Sequence, residues 1–168
     1  VFAGVGKTDA EITTAIEKNI GCLNVESLQE VEVINCIATA KRKHVNLAIR
    51  VNPNVDADTH QYIKTGIEEN KFGISPAHLF EIVDYISHSR NLCLTGLHFH
   101  IGSQITNFKN FEFLAKKVNH IYAILNARDV KIKHLNLGGG LGIDYSNPTG
   151  NSIPDFETYF YVFRTHLN

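Results

Sequence analysis

The sequence predicts an α/β fold built around a parallel β-sheet. Short apolar strands alternate with amphipathic helices, five strand and helix units in all, and no hairpin signal separates one strand from the next. The strands also have one polar face, opposite an apolar one. The polar-face residues are Asn24, Arg50, His98, His100, His134 and Asn136.

Two parallel architectures are compatible with this alternation. An open doubly wound sheet buries its central strands on both faces, which makes them almost wholly apolar. A (β/α) barrel instead packs one face against helices and turns the other toward an interior with a polar mouth. The one-sided polarity favours the barrel. A complete barrel takes about 250 residues, so we expect these 168 residues to hold about five of its eight units.

The first two units show helix-start signals. A strand over residues 1–4 precedes Thr8 and Glu11, which have the spacing of a capping box, and a strand over residues 22–25 precedes Ser27 and Glu30, which repeat it. Apolar residues at helical spacing follow each box. The predicted core faces are Ile12, Ala15 and Ile16 in the first helix, and Val31, Ile34 and Ala38 in the second.

The middle of the chain contains a long irregular stretch. After a third strand over residues 45–51, the segment 52–74 has no sustained period and is punctuated by glycine and proline, as in long functional loops. Ser75 and Pro76 then predict the start of a helix. Its apolar stripe is Leu79, Ile82, Val83 and Ile86.

The last two units complete the pattern. A fourth strand is predicted over residues 94–101 and a fifth over residues 132–137, with an amphipathic helix between them and another opened by Pro154. The helix between them has Phe111, Leu114, Val118, Ile121 and Leu125 on its apolar stripe. The final helix is predicted to bury Phe156, Tyr159, Phe160 and Phe163.

Composition narrows the class of partner. The formal net charge of -1 offers no basic surface for nucleic acid or an anionic membrane, so a small molecule is the expected partner. Three separated cysteines give neither a disulfide framework nor a zinc motif, which favours a reducing, cytoplasmic compartment. No signal peptide or membrane span is predicted. The chain begins at Val1, within a strand and without methionine, and we expect it to be part of a longer protein.

The fourth strand carries the first candidate site. His98 and His100 share one strand face, and Gly102 and Ser103 follow where the strand should end, which is where barrels place ligand-binding groups. Two histidines spaced in this way could instead ligate zinc or iron. A metal site would need further histidine and aspartate ligands at later strand ends. The candidates are poorly placed for this, because His134 is predicted within a strand and Asp144 in a loop.

The glycine run after the fifth strand is the second candidate. Gly138, Gly139 and Gly140 have no side chains, so their backbone N–H groups can surround an anion such as phosphate. A tight turn between strand and helix is the plain alternative. Barrel phosphate sites often combine the loops after two adjacent late strands, which favours phosphate here. The run lacks the acidic residue of a dinucleotide-binding fingerprint, so NAD is not expected.

Arg50 is placed on the polar face at the end of the third strand. A buried guanidinium needs an anionic partner. Two readings stay open at this stage, a phosphate or cofactor oxygen and an ion pair with a residue such as Glu26.

Three segments in order carry a resemblance to a known family. VNPNVDADTHQYIKTGIEENKFGI, GLHFHIGSQI and LNLGGGLGIDY resemble the barrel of the fold type III pyridoxal-phosphate enzymes of the diaminopimelate decarboxylase family, related to alanine racemase. The resemblance implies a partial (β/α)8 barrel of the alanine racemase-like type with pyridoxal 5'-phosphate as cofactor. It further implies a decarboxylase that converts meso-2,6-diaminopimelate to L-lysine as a homodimer.

The resemblance also implies residue roles. His100 would stack on the cofactor ring, Ser103 and Gly138 to Gly140 would hold its phosphate, and Arg50 would lie near it. The segment 71–73 would lie toward the dimer partner. No metal is implied.

This sequence departs from the family pattern in one respect. The lysine that binds the cofactor covalently has no counterpart in the chain, since Lys7, Lys64 and Lys71 do not match its motif. The acid that pairs with the pyridine nitrogen and the C-terminal β-domain are also expected outside it. Arginine, ornithine or carboxynorspermidine decarboxylation and a non-catalytic cofactor-binding homologue remain alternatives.

Overall fold

The computed structural model of the chain describes residues 1–53, 72–147 and 155–168. Its sheet has four named strands, β1 (Leu23–Val25), β2 (Val45–Arg50), β3 (Leu92–His98) and β4 (His134–Asn136). All neighbouring pairs are parallel and the spatial order is the chain order. Phe2 adds a single parallel bridge to Leu23 at the β1 edge. A doubly wound sheet would reverse its strand order, so this sequential order confirms the partial barrel.

The described ranges contain five α-helices besides these strands. They are α1 (Asp9–Glu17), α2 (Leu28–Lys41), α3 (Leu79–His88), α4 (Lys109–Asn126) and α5 (Phe156–His166). A 3-10 turn, Pro76–His78, leads directly into α3. Ser75 precedes the turn as predicted but makes no side-chain capping bond. None of the helices in the described ranges is long and apolar enough to cross a membrane.

The core lies between the apolar strand face and the helices. Leu47, Ile49 and Leu97 are completely buried, and so are the α2 residues Val31 and Ile34 that pack toward them. Each such side chain contributes about 1.5 to 3 kcal/mol when it leaves water. The predicted core faces of α1, α2, α3 and α4 are all confirmed.

The two predicted capping boxes differ in their hydrogen bonds. In α1, the Thr8 side chain accepts from the Glu11 N–H, and the Glu11 carboxylate accepts from the Thr8 N–H, as a capping box requires. In α2, Ser27 accepts from the Glu30 N–H at 3.2 Å. The Glu30 carboxylate does not return to Ser27 but accepts from the Glu26 N–H at 2.7 Å. Only the first box is therefore reciprocal.

The final helix contradicts its prediction in part. Phe163 is buried, but the side chains of Phe156 and Phe160 are 55% and 65% exposed. The helix begins at the N-cap Asp155, whose carboxylate accepts from the Thr158 N–H. Helix α5 packs on α4 through one face, where the rings of Phe163 and Tyr159 contact Phe111. The opposite face has no neighbour in the described part of the chain.

Strand limits also differ from those predicted. Strand β3 begins at Leu92 and ends at His98, so His100 lies past the strand in the following loop. Strand β4 is limited to three residues. Most of the predicted irregular segment 52–74, including residues 54–71, lies outside the described residues, as does Pro154.

Candidate anion-binding site at the strand ends

The predicted polar residues meet at the carboxyl ends of the strands. Parallel pairing aligns Arg50 with His98 and His98 with Asn136. Residues in register on neighbouring parallel strands point to the same face, so these side chains form one row across β2, β3 and β4. The sequence placed them on one face, and the register makes them neighbours.

The loops after β3 and β4 are joined by backbone hydrogen bonds. The Ile105 N–H donates to the Gly140 carbonyl at 2.8 Å, and the Gly142 N–H donates to the Ile105 carbonyl at 2.9 Å. Gly140 lies so close to the Gly102 carbonyl oxygen that a side chain there would overlap it. The predicted Gly102–Ser103 turn and the glycine run are therefore one structure.

The glycine run, Gly138 to Gly140, is the candidate anion cradle. Gly138 and Gly140 have φ values of +77° and +98°, which glycine adopts far more readily than other residues. A Cβ on Gly138 would meet the Phe99 carbonyl oxygen and would lie 3.0 Å from His100 Nδ1. A Cβ on Gly139 would meet nothing within 4 Å. Gly139 thus faces open space, next to a glycine that packs against His100.

The side chains around this space are suited to a phosphate group. Ser103 is exposed, and its hydroxyl makes no hydrogen bond within the described ranges. The Gly138 N–H donates to the Asn136 side-chain oxygen at 2.9 Å, which orients the start of the glycine run. Neutral N–H and O–H donors are sufficient for an anion that is held rather than transformed. These residues fit a phosphate-bearing cofactor.

Arg50 has a carboxylate partner. Its guanidinium donates to both Glu26 carboxylate oxygens at 2.9 Å, and both side chains are 9% exposed. The ring of Phe72 lies 5.6 Å from the guanidinium carbon. The ion pair with Glu26, which is one of the two readings left open for Arg50, is present in the structure.

A second ion pair adjoins the first. The Lys7 ammonium lies 2.5 Å from Glu30, with only 2% of the Lys7 side chain exposed. Since the Glu30 carboxylate also accepts from the Glu26 N–H, the two pairs are linked across the loops that precede α1 and α2. Sequence reasoning missed this link because the spacing of Ser27 and Glu30 was read as a capping box.

His98 lies beneath the site as a neutral side chain. Burial, followed by the nearby Arg50 charge, lowers the pKa of His98 to about 4. Its Nδ1 atom is buried without a hydrogen-bond partner.

The described residues contain no group of three or more histidine, cysteine, aspartate or glutamate side chains that could hold a metal ion. The three cysteines are free thiols.

The sequential parallel sheet defines a (β/α)-barrel protein, with a candidate anion site at these strand-end loops. More narrowly, the chain belongs to the pyridoxal-dependent decarboxylases. Residues 1–168 match the family described as pyridoxal-dependent decarboxylase, pyridoxal binding domain. The cofactor that the family name specifies agrees with the anion cradle.

Individual relatives are similar over nearly the whole chain. It is 48% identical to diaminopimelate decarboxylase of Bacteroides thetaiotaomicron over 99% of its length, and it spans 43% of that relative. A crystal structure of diaminopimelate decarboxylase from M. jannaschii superposes with a TM-score of 0.88 at 34% identity, covering 98% of this chain and 38% of that one. For the Helicobacter pylori enzyme complexed with L-lysine, the TM-score is 0.79 at 35% identity, with coverage of 98% and 42%.

Proposed function

We propose that the protein containing this chain decarboxylates meso-2,6-diaminopimelate to L-lysine with pyridoxal 5'-phosphate. Residues 1–168 would form the incomplete pyridoxal-phosphate-binding barrel domain of that protein. The names of the most similar relatives support this substrate. The L-lysine in the H. pylori structure, which is the product of that reaction, agrees with it.

The observation that carries the proposal is the joining of two loops beside one histidine ring. Gly140 lies against Gly102, and Gly138 against His100, so Ser103 and the glycine run flank the same space. We assign the phosphate to Ser103 and to the glycine run Gly138 to Gly140, in which the N–H groups of Gly139 and Gly140 would be the donors because that of Gly138 already donates to Asn136. Because the phosphate does not react, its task is to anchor the cofactor.

We assign His100 to the face of the cofactor ring. It lies past the end of β3 and next to Gly138, so its imidazole is close to the phosphate cradle. When bound, the cofactor accepts the electron pair left on the substrate carbon as carbon dioxide departs. A flat imidazole against one ring face orients the ring and leaves the other face to the substrate.

Arg50 contributes at the edge of the same space. With its guanidinium held by Glu26, it places a fixed positive charge one strand away from His98 and His100. We propose that this charge lies near the cofactor and orients its anionic groups. The ion pair with Glu26 fixes the guanidinium on the strand next to His98.

Two further properties belong to this proposal. We propose that the protein acts as a homodimer and that it works in the cytoplasm, on a small amino-acid substrate and without nucleic acid or membrane partners. Analytical ultracentrifugation of the full-length protein would test the dimer, and a monomer at micromolar concentration would contradict it.

The decisive experiment measures the substrate. The full-length protein is supplied with pyridoxal 5'-phosphate and with meso-diaminopimelate, ornithine or arginine in separate assays, and carbon dioxide release is followed. We expect lysine from diaminopimelate and much slower release from the other two. Faster turnover of ornithine or arginine would overturn the substrate assignment, and no turnover of any would favour a non-catalytic homologue.

Ser103 provides the test of the phosphate assignment. We expect Ser103→Ala to weaken cofactor affinity by roughly ten-fold to a hundred-fold, because one hydrogen bond to a charged group is lost. Turnover at saturating cofactor should change much less. Ser87 is a matched control, since its hydroxyl bonds only within and next to α3, so Ser87→Ala should leave affinity unchanged. An unchanged affinity with collapsed turnover in Ser103→Ala would contradict the assignment.

A further inference from the structure

Gln104 links the two loops of the anion cradle by its side chain. Its amide nitrogen donates to the Ile143 carbonyl at 2.8 Å, and its amide oxygen accepts from the Ile143 N–H at 3.0 Å. One planar amide therefore satisfies both backbone groups of a residue 39 positions away. No other side-chain hydrogen bond in the described ranges joins these loops.

The link continues a regular series of bonds. Ile105 pairs with Leu141 as a parallel bridge, and its bonds to Gly140 and Gly142 lie next to the Gln104 pair. The Gln104 amide thus adds a side-chain link next to this short ladder. Ser103 lies directly between this ladder and the close approach of Gly102 to Gly140.

The backbone of Gln104 shows that the turn itself does not favour glutamine. Its φ is +56°, in the left-handed region that glycine and asparagine adopt most easily. At this φ, glycine would have a lower conformational energy than a glutamine whose side chain made no contacts. The two bonds to Ile143 offset the unfavourable conformation, and they require a side chain that both donates and accepts at glutamine length.

We propose that Gln104 is a positioning residue that sets the spacing between Ser103 and the glycine run, and with it the affinity for the phosphate end of the cofactor. This inference rests on the proposed function, because it concerns the same cradle. Gln104 itself need not touch the cofactor. It acts through Ser103 on one side and through the segment 138–143 on the other.

The test compares two probes in the full-length protein, pyridoxal 5'-phosphate and pyridoxal. Both carry the same ring and aldehyde, so the dissociation constant of pyridoxal divided by that of pyridoxal 5'-phosphate isolates the phosphate contribution. We expect Gln104→Gly to reduce that ratio roughly ten-fold by weakening pyridoxal 5'-phosphate binding, with pyridoxal binding unchanged. A general loss of structure would weaken both probes equally.

Asp129→Gly is the matched control. Asp129 is also exposed with a positive φ of +59°, but it follows α4 and is remote from the cradle. The Asp129→Gly substitution relieves the same kind of backbone strain, and we expect the ratio of dissociation constants to stay at the wild-type value. Gln104→Glu serves if the glycine variant fails to fold, because its carboxylate can accept from the Ile143 N–H but cannot donate to the carbonyl. It should also lower the ratio.

The outcomes separate the inference from the proposed function. A wild-type protein that binds pyridoxal 5'-phosphate no better than pyridoxal would overturn the phosphate cradle itself. A wild-type protein that discriminates, with an unchanged ratio in Gln104→Gly or Gln104→Glu, would overturn the role of Gln104 only. An equal loss for both probes would reduce Gln104 to a structural residue and contradict the inference.

Discussion

At the scale of single residues, His98 makes stability depend on pH. Its pKa is lowered to about 4 in the folded protein, against an ordinary value of 6.5, by burial and by the Arg50 charge. The unfolded chain therefore binds a proton between these two values while the folded one does not. The contribution of His98 to stability is fully present above pH 6.5, declines as the pH falls, and is lost near pH 4.

We expect His98→Gln to remove this component of the pH dependence. Because the ring is partly exposed to solvent, the difference between wild type and variant should be on the order of 1 kcal/mol across this range. Urea unfolding at several pH values would measure it, since carboxylates that titrate nearby affect both proteins alike. Parallel pH profiles for the two proteins would show that His98 does not titrate in this way.

His100 tests the stacking role at the same scale. We expect His100→Phe to keep part of the activity of the full-length protein, because a flat aromatic ring can still lie against the cofactor, while His100→Ala loses most of it. The measurement is turnover at saturating cofactor. If the histidines served a metal, His98→Gln and His100→Phe would abolish activity alike and a chelator would do the same.

At the scale of elements, substitutions at different positions of the glycine run should affect protein stability and cofactor binding differently. A Cβ on Gly140 would overlap the Gly102 carbonyl in a backbone with φ of +98°, so Gly140→Ala should lower both the melting temperature and the cofactor affinity. A Cβ on Gly139 would meet nothing within 4 Å of the protein. Gly139→Ala should therefore leave the melting temperature within a few degrees of wild type.

Cofactor binding should distinguish Gly139→Ala from the wild type. The added methyl group would occupy the open side of the cradle, so we expect weaker binding of pyridoxal 5'-phosphate by roughly ten-fold. Gly21→Ala is the control, because Gly21 also faces open space but precedes β1 at the opposite end of the strands. If Gly139→Ala bound pyridoxal 5'-phosphate with wild-type affinity, the assignment of the phosphate to the glycine run would be contradicted.

At the scale of the whole molecule, the proposed function requires a lysine that binds the cofactor covalently. The chain spans 43% of the length of its B. thetaiotaomicron relative. Lys7 is held by Glu30 and by the Gly4 carbonyl, while Lys64 and Lys71 lie outside the described residues. We expect borohydride reduction and peptide mapping of the full-length protein to recover the pyridoxyl group on a lysine beyond these 168 residues. Recovery on Lys7, Lys64 or Lys71 would contradict the assignment.

The sequence by itself determined the parallel fold, the core faces of four helices and the polar face of the strands. These follow from local spacing, since periods of 2 and 3.6 residues identify the apolar face of an element without reference to its neighbours. The polar face in turn pointed to the strand ends as the site. The glycine run and Ser103 were proposed as site residues in the same way, from small residues at the ends of predicted strands.

Only the tertiary structure decided which groups meet. The Glu26 partner of Arg50 is 24 positions away and the Ile143 partner of Gln104 is 39, and both depend on strand register. Local spacing also misjudged Phe160, because an apolar stripe does not specify which of its sides a neighbouring helix will cover. Contacts between distant segments are set by packing and register, which no local period encodes.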